Sequence, residues 1–202
     1  MTQNTVWRVA VALLSAAIVS VAACGRTSEP PASTATSPSQ PQLIPEATIK
    51  DLMLGLIDTS ADVVWLSVTA TVSDQGLVET RPKNDEEWME VRYAALRLAE
   101  GANLLMIPGR RVALPGEKSV APGVELEPEE MQVNIDKDRA AWNERAKAMH
   151  DAAMLAVRAA EARDADKIFE LGEIIENACE GCHRHFWYPN EVIPELPTAP
   201  AK

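Results

Sequence analysis

The chain has 202 residues, of which 47% are hydrophobic, and its formal net charge is −11. An acidic balance of this size argues against nucleic acid as a partner; it suits attraction toward a basic protein, although solubility alone also accounts for it. Three cysteines are present, at positions 24, 179 and 182, and this number and spacing exclude a disulfide-stapled scaffold.

The N-terminus carries an export signal. Arg8 precedes an apolar or small-residue run from Val9 to Ala23, which is too short for a permanent membrane anchor. The run ends in Val-Ala-Ala-Cys and resembles the lipobox of bacterial lipoproteins, so we interpret residues 1–23 as a lipoprotein signal peptide and Cys24 as the lipidated residue. A plain secretory signal with an incidental cysteine is the alternative. Residues 24–45, rich in Pro, Ser and Thr, are predicted to form a flexible linker to the membrane.

Helix one is predicted from Glu46 to about Val72. Its apolar residues recur at steps of three and four, the spacing of one buried helical face: Ile49, Met53, Leu56, Ile57, Ala61, Val64, Trp65 and Val68. The β-branched cluster at its C-terminal end lowers helix propensity, and Gly76 marks the following turn.

Helix two opens at Asn84, a capping residue followed by three acidic residues, and stops before Pro108 and Gly109. A long connection follows, from Ile107 to Glu127, with three Pro-Gly pairs and with Arg110 and Arg111 near its start. It is either a simple crossover between helices or a functional loop whose arginines pair with a ligand or a partner protein.

Helix three is predicted from Pro128, a residue suited to a first helical turn, to about Arg163. Asp164 separates it from helix four, which runs to Pro189, and the chain gives no strand pattern. The predicted fold is therefore all-α, an antiparallel four-helix bundle over residues 46–188 with one long connection between helices two and three, followed by a tail at 189–202.

The sequence Cys179-Glu180-Gly181-Cys182-His183 is the C-x-x-C-H arrangement by which haem c is attached covalently. The two thiols add across the two haem vinyl groups, so they need a separation of about one helical turn. His183 then lies where its imidazole can bind the iron as the proximal ligand.

Three other interpretations of this motif stay open. A thioredoxin-like redox pair needs a strand–helix unit, which the sequence does not predict. A zinc site could combine both cysteines with His183 or His185, but it needs a fourth ligand. The third alternative is chance occurrence in an unrelated helix.

With the motif near the end of the last of four helices and Phe186 three positions after the histidine, the chain resembles the class II c-type cytochromes, which comprise cytochromes c-prime and their low-spin, methionine-ligated relatives. The resemblance covers about residues 46–188. It departs at Trp187, because cytochromes c-prime carry a basic residue, usually arginine, at that position. In this context, Arg110 or Arg111 is a candidate partner for a haem propionate.

The resemblance also implies that a residue of helix one faces the sixth position of the iron. Met53 would give a six-coordinate centre suited to electron transfer, whereas Leu54 would leave the iron five-coordinate. Ordinary core packing is the alternative for Met53. A homodimer through helices one and two is also implied, although Thr59, Ser60 and Asp62 leave that face ambiguous.

The sequence thus predicts a lipid-anchored electron carrier, not an enzyme, with one haem c on Cys179, Cys182 and His183 and redox proteins of the cell envelope as partners. It would lie on the periplasmic side of a bacterial membrane, and Gly25 after Cys24 favours the outer membrane. The alternatives are a protein that binds nitric oxide or another small gas, a peroxidase-like enzyme and a haem-free lipoprotein. A peroxidase-like enzyme would need a distal histidine or arginine, whereas helix one offers only Lys50 and Asp51 near that level.

Overall fold

The computed structural model describes residues 43–74 and 76–191. Within them, the helical segments are α1 (Ile49–Leu52), a π-helical segment (Met53–Ile57), α2 (Asp58–Ser67), α3 (Asp85–Leu105), α4 (Pro128–Lys137), α5 (Arg139–Ala162) and α6 (Ala165–Phe186). Two strands, β1 (Thr69–Ser73) and β2 (Gly76–Thr80), lie between α2 and α3. The predicted signal peptide, Cys24 and most of the predicted linker and tail lie outside the described residues.

Predicted helix one is a continuous helical stretch with a π-helical interruption. It begins with a capping box, in which Thr48 and Asp51 exchange hydrogen bonds between side chain and backbone. The Asp58 amide donates to the Met53 carbonyl, five residues back, which is the hydrogen-bond pattern of a π turn. The helix ends at Ser67 and not at about Val72, because the β-branched residues that follow adopt extended backbone.

Those residues form an antiparallel hairpin, so the expectation that the chain has no strands was wrong. The register pairs Thr69 with Thr80, Thr71 with Val78 and Ser73 with Gly76. Gly76 has a φ of +107°, which a residue with a side chain rarely adopts, and this explains why the turn predicted at this glycine is present. The fold is mostly helical with one small sheet.

Helix α3 begins where predicted. The Asn84 side chain accepts from the Glu87 amide, and the helix ends at Leu105, ahead of Pro108. Near its end, Gly101 faces the π-helical segment, where a Cβ on residue 101 would lie 2.7 Å from Cγ1 of Ile57. The absence of a side chain at Gly101 therefore allows α3 to approach the π-helical segment closely.

Predicted helix three is two helices. Pro128 occupies the first turn of α4 as expected, but the chain breaks at Asp138, whose φ of −127° and ψ of 60° lie outside the helical region. The Asp138 side chain then accepts from the Ala141 amide and caps α5. The helix is therefore interrupted at Asp138, and the prediction of a single helix from Pro128 to about Arg163 was wrong.

The core is built around α5, which packs against α3 and α6, while α2 packs against the same two helices. Small side chains dominate the interface of α3 with α5, since Ala94, Ala95 and Ala102 on one helix and Ala153 and Ala156 on the other are fully or almost fully buried. Alanines let two helices approach closely. Larger buried side chains, among them Leu98, Leu171 and Ile175, fill the space between these contacts.

The long connection is fastened to the ends of helices. Its carbonyls at Arg111 and Val112 accept from the amides of Ile49 and Lys50, at 2.8 and 3.0 Å, in the first turn of α1. Near its other end, the Leu126 amide donates to the Trp187 carbonyl at 2.9 Å, just past α6. The connection thus satisfies backbone groups that two helix ends leave without intrahelical partners.

Candidate functional site

The C-x-x-C-H motif lies in the last two turns of α6. Asp164 caps this helix by accepting from the Lys167 amide at 2.9 Å, and a stripe of buried apolar residues follows: Ile168, Leu171, Ile175 and Phe186. Cys179 and Cys182 continue the stripe and are half-buried against the core. The helical period therefore presents both thiols on the same face, as the sequence predicts.

Two cavities, of about 320 Å³ and about 290 Å³, adjoin this face. Both are bordered by Met53 and Leu54 of the π-helical segment and by Cys182, His183 and Trp187. Cys179 borders the first cavity but not the second. The fold thus brings Met53, Cys179, Cys182 and His183 together around the first cavity.

The first cavity has a polar side. Arg145 of α5 borders it, together with the carboxylates of Asp58, Glu176 and Glu180. One guanidinium nitrogen of Arg145, Nη1, donates to the carbonyl of Gly181, inside the motif, and Nη2 lies 3.4 Å from Nδ1 of His185. Its Nε is buried without a hydrogen-bond partner among the described residues. Arg145 therefore holds the motif from a neighbouring helix.

The two thiols are strongly disposed to remain protonated. Burial, with a further contribution from Glu176, raises the pKa of Cys179 to about 12. Burial also raises the pKa of Cys182 to about 11, against an opposing effect of the Arg145 charge. Redox-active C-x-x-C pairs have lowered thiol pKa values, so the surroundings of this pair are unlike those of a thioredoxin-type centre.

His183 is surrounded by polar and aromatic groups. Its Nδ1 lies 3.5 Å from Oε1 of Glu180, and the same oxygen accepts the Tyr188 hydroxyl at 2.7 Å. Arg184 lies 3.4 Å from the other carboxylate oxygen. The Trp187 ring meets the imidazole edge to face, with the centroids 5.0 Å apart. Burial and the bond to Glu180 raise the pKa of Tyr188 above its usual range, so the hydroxyl stays a donor.

The long connection contributes part of the lining of the second cavity. Val112, Lys118, Val120 and Glu125 of this segment border it, together with Met131 and Ile135 of α4. Arg110 and Arg111, the predicted candidates for a propionate, border neither cavity. Arg110 is 4% exposed and donates to the carbonyls of Leu104 and Ala47, so its role is to fix the connection.

Met53 and Leu54, neighbours in the π-helical segment, differ in how far they are buried. Met53 is half-buried and packs against the core, whereas Leu54 is 62% exposed. Both border both cavities. A second methionine, Met149 of α5, is buried and also borders the first cavity.

The polar residues near the start of helix one have other partners. Lys50 contacts Glu117 at 2.6 Å, and Asp51 belongs to the Thr48 capping box. Sequence reasoning missed Arg145, Glu180 and Tyr188. Glu180 and Tyr188 were close enough to His183 in sequence to be considered, whereas Arg145 is 38 positions away from it and carries no local signal.

No protein-family model, no curated protein and no solved structure matches the chain. Among residues 43–74 and 76–191, no group of three or more His, Cys, Asp and Glu side chains is arranged to hold a metal ion. In the same ranges, no helix has the length and apolar character needed to cross a membrane.

Proposed function

We propose that this protein is an electron carrier with one covalently attached haem c on Cys179, Cys182 and His183. The observation that carries the proposal is that Met53, Cys182 and His183 border the same two cavities. A sulfur donor and an imidazole placed in this way are the pair that gives a low-spin iron centre. Haem c would supply a one-electron couple between two oxidation states of its iron.

The donor set fits this group. Two half-buried thiols, one helical turn apart, stand at the cavity edge, and an imidazole follows directly on the same helix. The second cavity is walled largely by apolar side chains such as Val112, Met131 and Ile135. Such walls exclude water from a macrocycle and hold it by the hydrophobic effect.

The residues around the motif have separable tasks in this proposal. Arg145 positions the helix turn between the two cysteines through the Gly181 carbonyl. Glu180 stands beside Nδ1 of His183 and orients the imidazole so that its other nitrogen is available. Tyr188 fixes the Glu180 carboxylate in turn.

We further infer that the long helices form an antiparallel four-helix bundle and that the protein is a lipoprotein anchored through Cys24 on the periplasmic side of a membrane. The packing of α5 against α3 and α6, and of α2 against the same helices, supports the bundle. The Val-Ala-Ala-Cys sequence supports the anchor. Redox proteins of the cell envelope are the proposed partners.

The experiment is an absorption spectrum of the oxidised and reduced protein, made in a host that matures c-type cytochromes. Sharp split bands on reduction that collapse in Met53→Ala would establish a six-coordinate carrier with Met53 as ligand. Met149→Ala is the matched control, because Met149 borders the first cavity from α5 and its loss should leave the bands unchanged. A preparation without any haem band would reject the proposal in favour of a haem-free lipoprotein.

Gas binding is the second candidate, and Leu54 favours it, since this side chain borders both cavities beside Met53. An apolar residue over the iron leaves the sixth position open to a small ligand. Broad high-spin bands that Met53→Ala leaves unchanged, and that nitric oxide or carbon monoxide shifts, would select this function over electron transfer.

A further inference from the structure

The β1–β2 hairpin projects from the helices with few of its side chains buried. Every residue of β2 and four of the five residues of β1 are exposed, including Val72 at 83% and Leu77 at 63%. The sheet has two strands in the described part of the chain, so each strand has an outer edge that no other strand covers. A lone two-stranded ribbon is marginally stable in water, and an open edge is a template for a further strand.

The two edges differ in charge. Natural proteins protect open edges with charged residues. Strand β2 contains Glu79 and is followed closely by Arg81 and Lys83. Strand β1, with the sequence Thr-Ala-Thr-Val-Ser, has no charged residue within it, and the charge nearest to it, Asp74, lies in the turn that follows. The edge of β1 is therefore the one suited to pairing.

The register decides which backbone groups this edge offers. Ser73 and Gly76 form the pair that closes a two-residue hairpin loop, and such a closing pair is hydrogen-bonded. Because hydrogen-bonded pairs alternate along an antiparallel ladder, Thr71 bonds toward β2. The N–H and C=O groups of Ala70 and Val72 must then point away from β2, toward the open edge.

We propose that β1 pairs antiparallel with β1 of a second copy of this chain, about a two-fold axis at Thr71. In this arrangement, Ala70 of each copy exchanges two hydrogen bonds with Val72 of the other, and the two Thr71 residues face each other in a non-hydrogen-bonded pair. The product is a four-stranded sheet with the order β2-β1-β1-β2.

The side chains suit this symmetry. On one face, Leu77 and Val72 of one copy and Ala70 of the second copy form a continuous apolar row. The two-fold axis generates a second, identical row beside it. Glu79 lies at the outer end of each row, so the two like charges are separated by the width of the sheet. On the other face, Thr71 packs against Thr71, a favourable cross-strand pair. The edge is thus complementary to itself.

The contact is small, so we expect a weak dimer in dilute solution. The lipid anchor proposed above would confine copies to one surface, where a weak contact suffices, but the pairing does not depend on that anchor. The interface also differs from the one expected from the sequence, which was a dimer through helices one and two.

The test is disulfide cross-linking of the full chain carrying Thr71→Cys, with oxidation followed by non-reducing electrophoresis. Opposed residues of a non-hydrogen-bonded pair have Cα atoms about 4.5 Å apart, within the range of a disulfide. Thr69→Cys is the matched control, because the two-fold axis separates its two copies by about 13 Å. The unsubstituted chain measures the background from Cys24, Cys179 and Cys182, whether or not lipid or haem is attached, so failure of the haem proposal does not affect the outcome.

We expect the covalent dimer of Thr71→Cys to exceed that of Thr69→Cys by about tenfold, given these distances. Adding Ala70→Pro should abolish it, since proline removes an outward N–H while the bonds to β2 remain. The circular dichroism of the helices serves as the control for folding. Equal cross-linking at positions 69 and 71, cross-linking no higher than background, or survival of the dimer in Ala70→Pro would each overturn the proposal.

Discussion

Two segments that connect helices differ in how much of their surface is buried. The hairpin from 69 to 80 has nine exposed residues among the ten of its strands. The connection from 107 to 127 has no helix and no strand of the hairpin's kind, yet it buries Arg110 and Val112 and borders the second cavity. Regular secondary structure is therefore no guide to which segment belongs to the folded core.

The difference lies in where the backbone hydrogen bonds go. The hairpin pairs the inward backbone groups of its two strands in its own ladder and leaves the outward groups at its edges exposed. The long connection has no ladder, so its carbonyls and amides pair with the ends of α1 and α6 instead. A buried backbone group must find a partner, and in this protein that requirement closes a wall of the candidate site.

The largest expected effect is that of Arg110→Ala. The substitution leaves the carbonyls of Leu104 and Ala47 without a donor and opens space in the core, so we expect a loss of about 3 kcal/mol in the free energy of unfolding. Urea denaturation measures it. Arg111→Ala is the control, because this exposed side chain should contribute within about 0.5 kcal/mol. Equal losses in the two variants would show that Arg110 does not fasten the connection.

A pair of identical substitutions compares the two segments directly. Val112→Thr places a hydroxyl where the side chain is 7% exposed and should cost about 2 kcal/mol. Val72→Thr makes the same change where the side chain is 83% exposed and should cost less than about 0.5 kcal/mol. The comparison fails if the hairpin variant unfolds at a lower urea concentration than the connection variant.

A smaller effect is expected at Glu125, which lies within the connection. Burial alone would raise the pKa of this carboxylate, but hydrogen bonds from Ser119 and from the amides of Ala121 and Val120 outweigh it and hold the pKa below 4.5. A group whose pKa is lowered by folding stabilises the protein above its unfolded-state pKa, and the contribution is lost as the pH falls through the folded-state value.

We therefore expect Glu125→Gln to cost about 1 kcal/mol at neutral pH and to approach the stability of the wild type as the pH falls below about 4.5. Urea midpoints at a series of pH values measure the gap. Glu144→Gln, at an exposed position on α5, should show no such gap. A gap at Glu125 that is constant with pH would contradict the assignment to the carboxylate.

Features with local causes were predictable from the sequence. Asn84, Pro128 and Asp164 mark helix starts within one residue, because a cap needs only its own backbone and the next turn. The stripe that carries Cys179 and Cys182 follows from the helical period alone. These signals located both the helices and the motif.

Features that depend on the rest of the fold were not predictable in this way. The β-branched residues from Val68 to Val72 fit the end of a helix face as well as a strand, and only their pairing with residues 76–80 decides. Asp138 carried a capping signal that was hidden inside a continuous helical pattern. Arg145 and Arg110 act through contacts with residues 36 and 63 positions away, which sequence spacing does not reveal.

The π-helical segment makes helix one sensitive to length at a particular place. A π turn accommodates one residue more than an α turn, so deletion of a single residue there, such as Gly55, would restore a regular helix. The part of the helix before the deletion would then rotate relative to α2, and Met53 and Leu54 would no longer border the same cavities. The effect of a substitution along this helix depends on the burial of the side chain that is replaced. An insertion or deletion in residues 53–57 instead changes which side chain borders the cavities beside the motif.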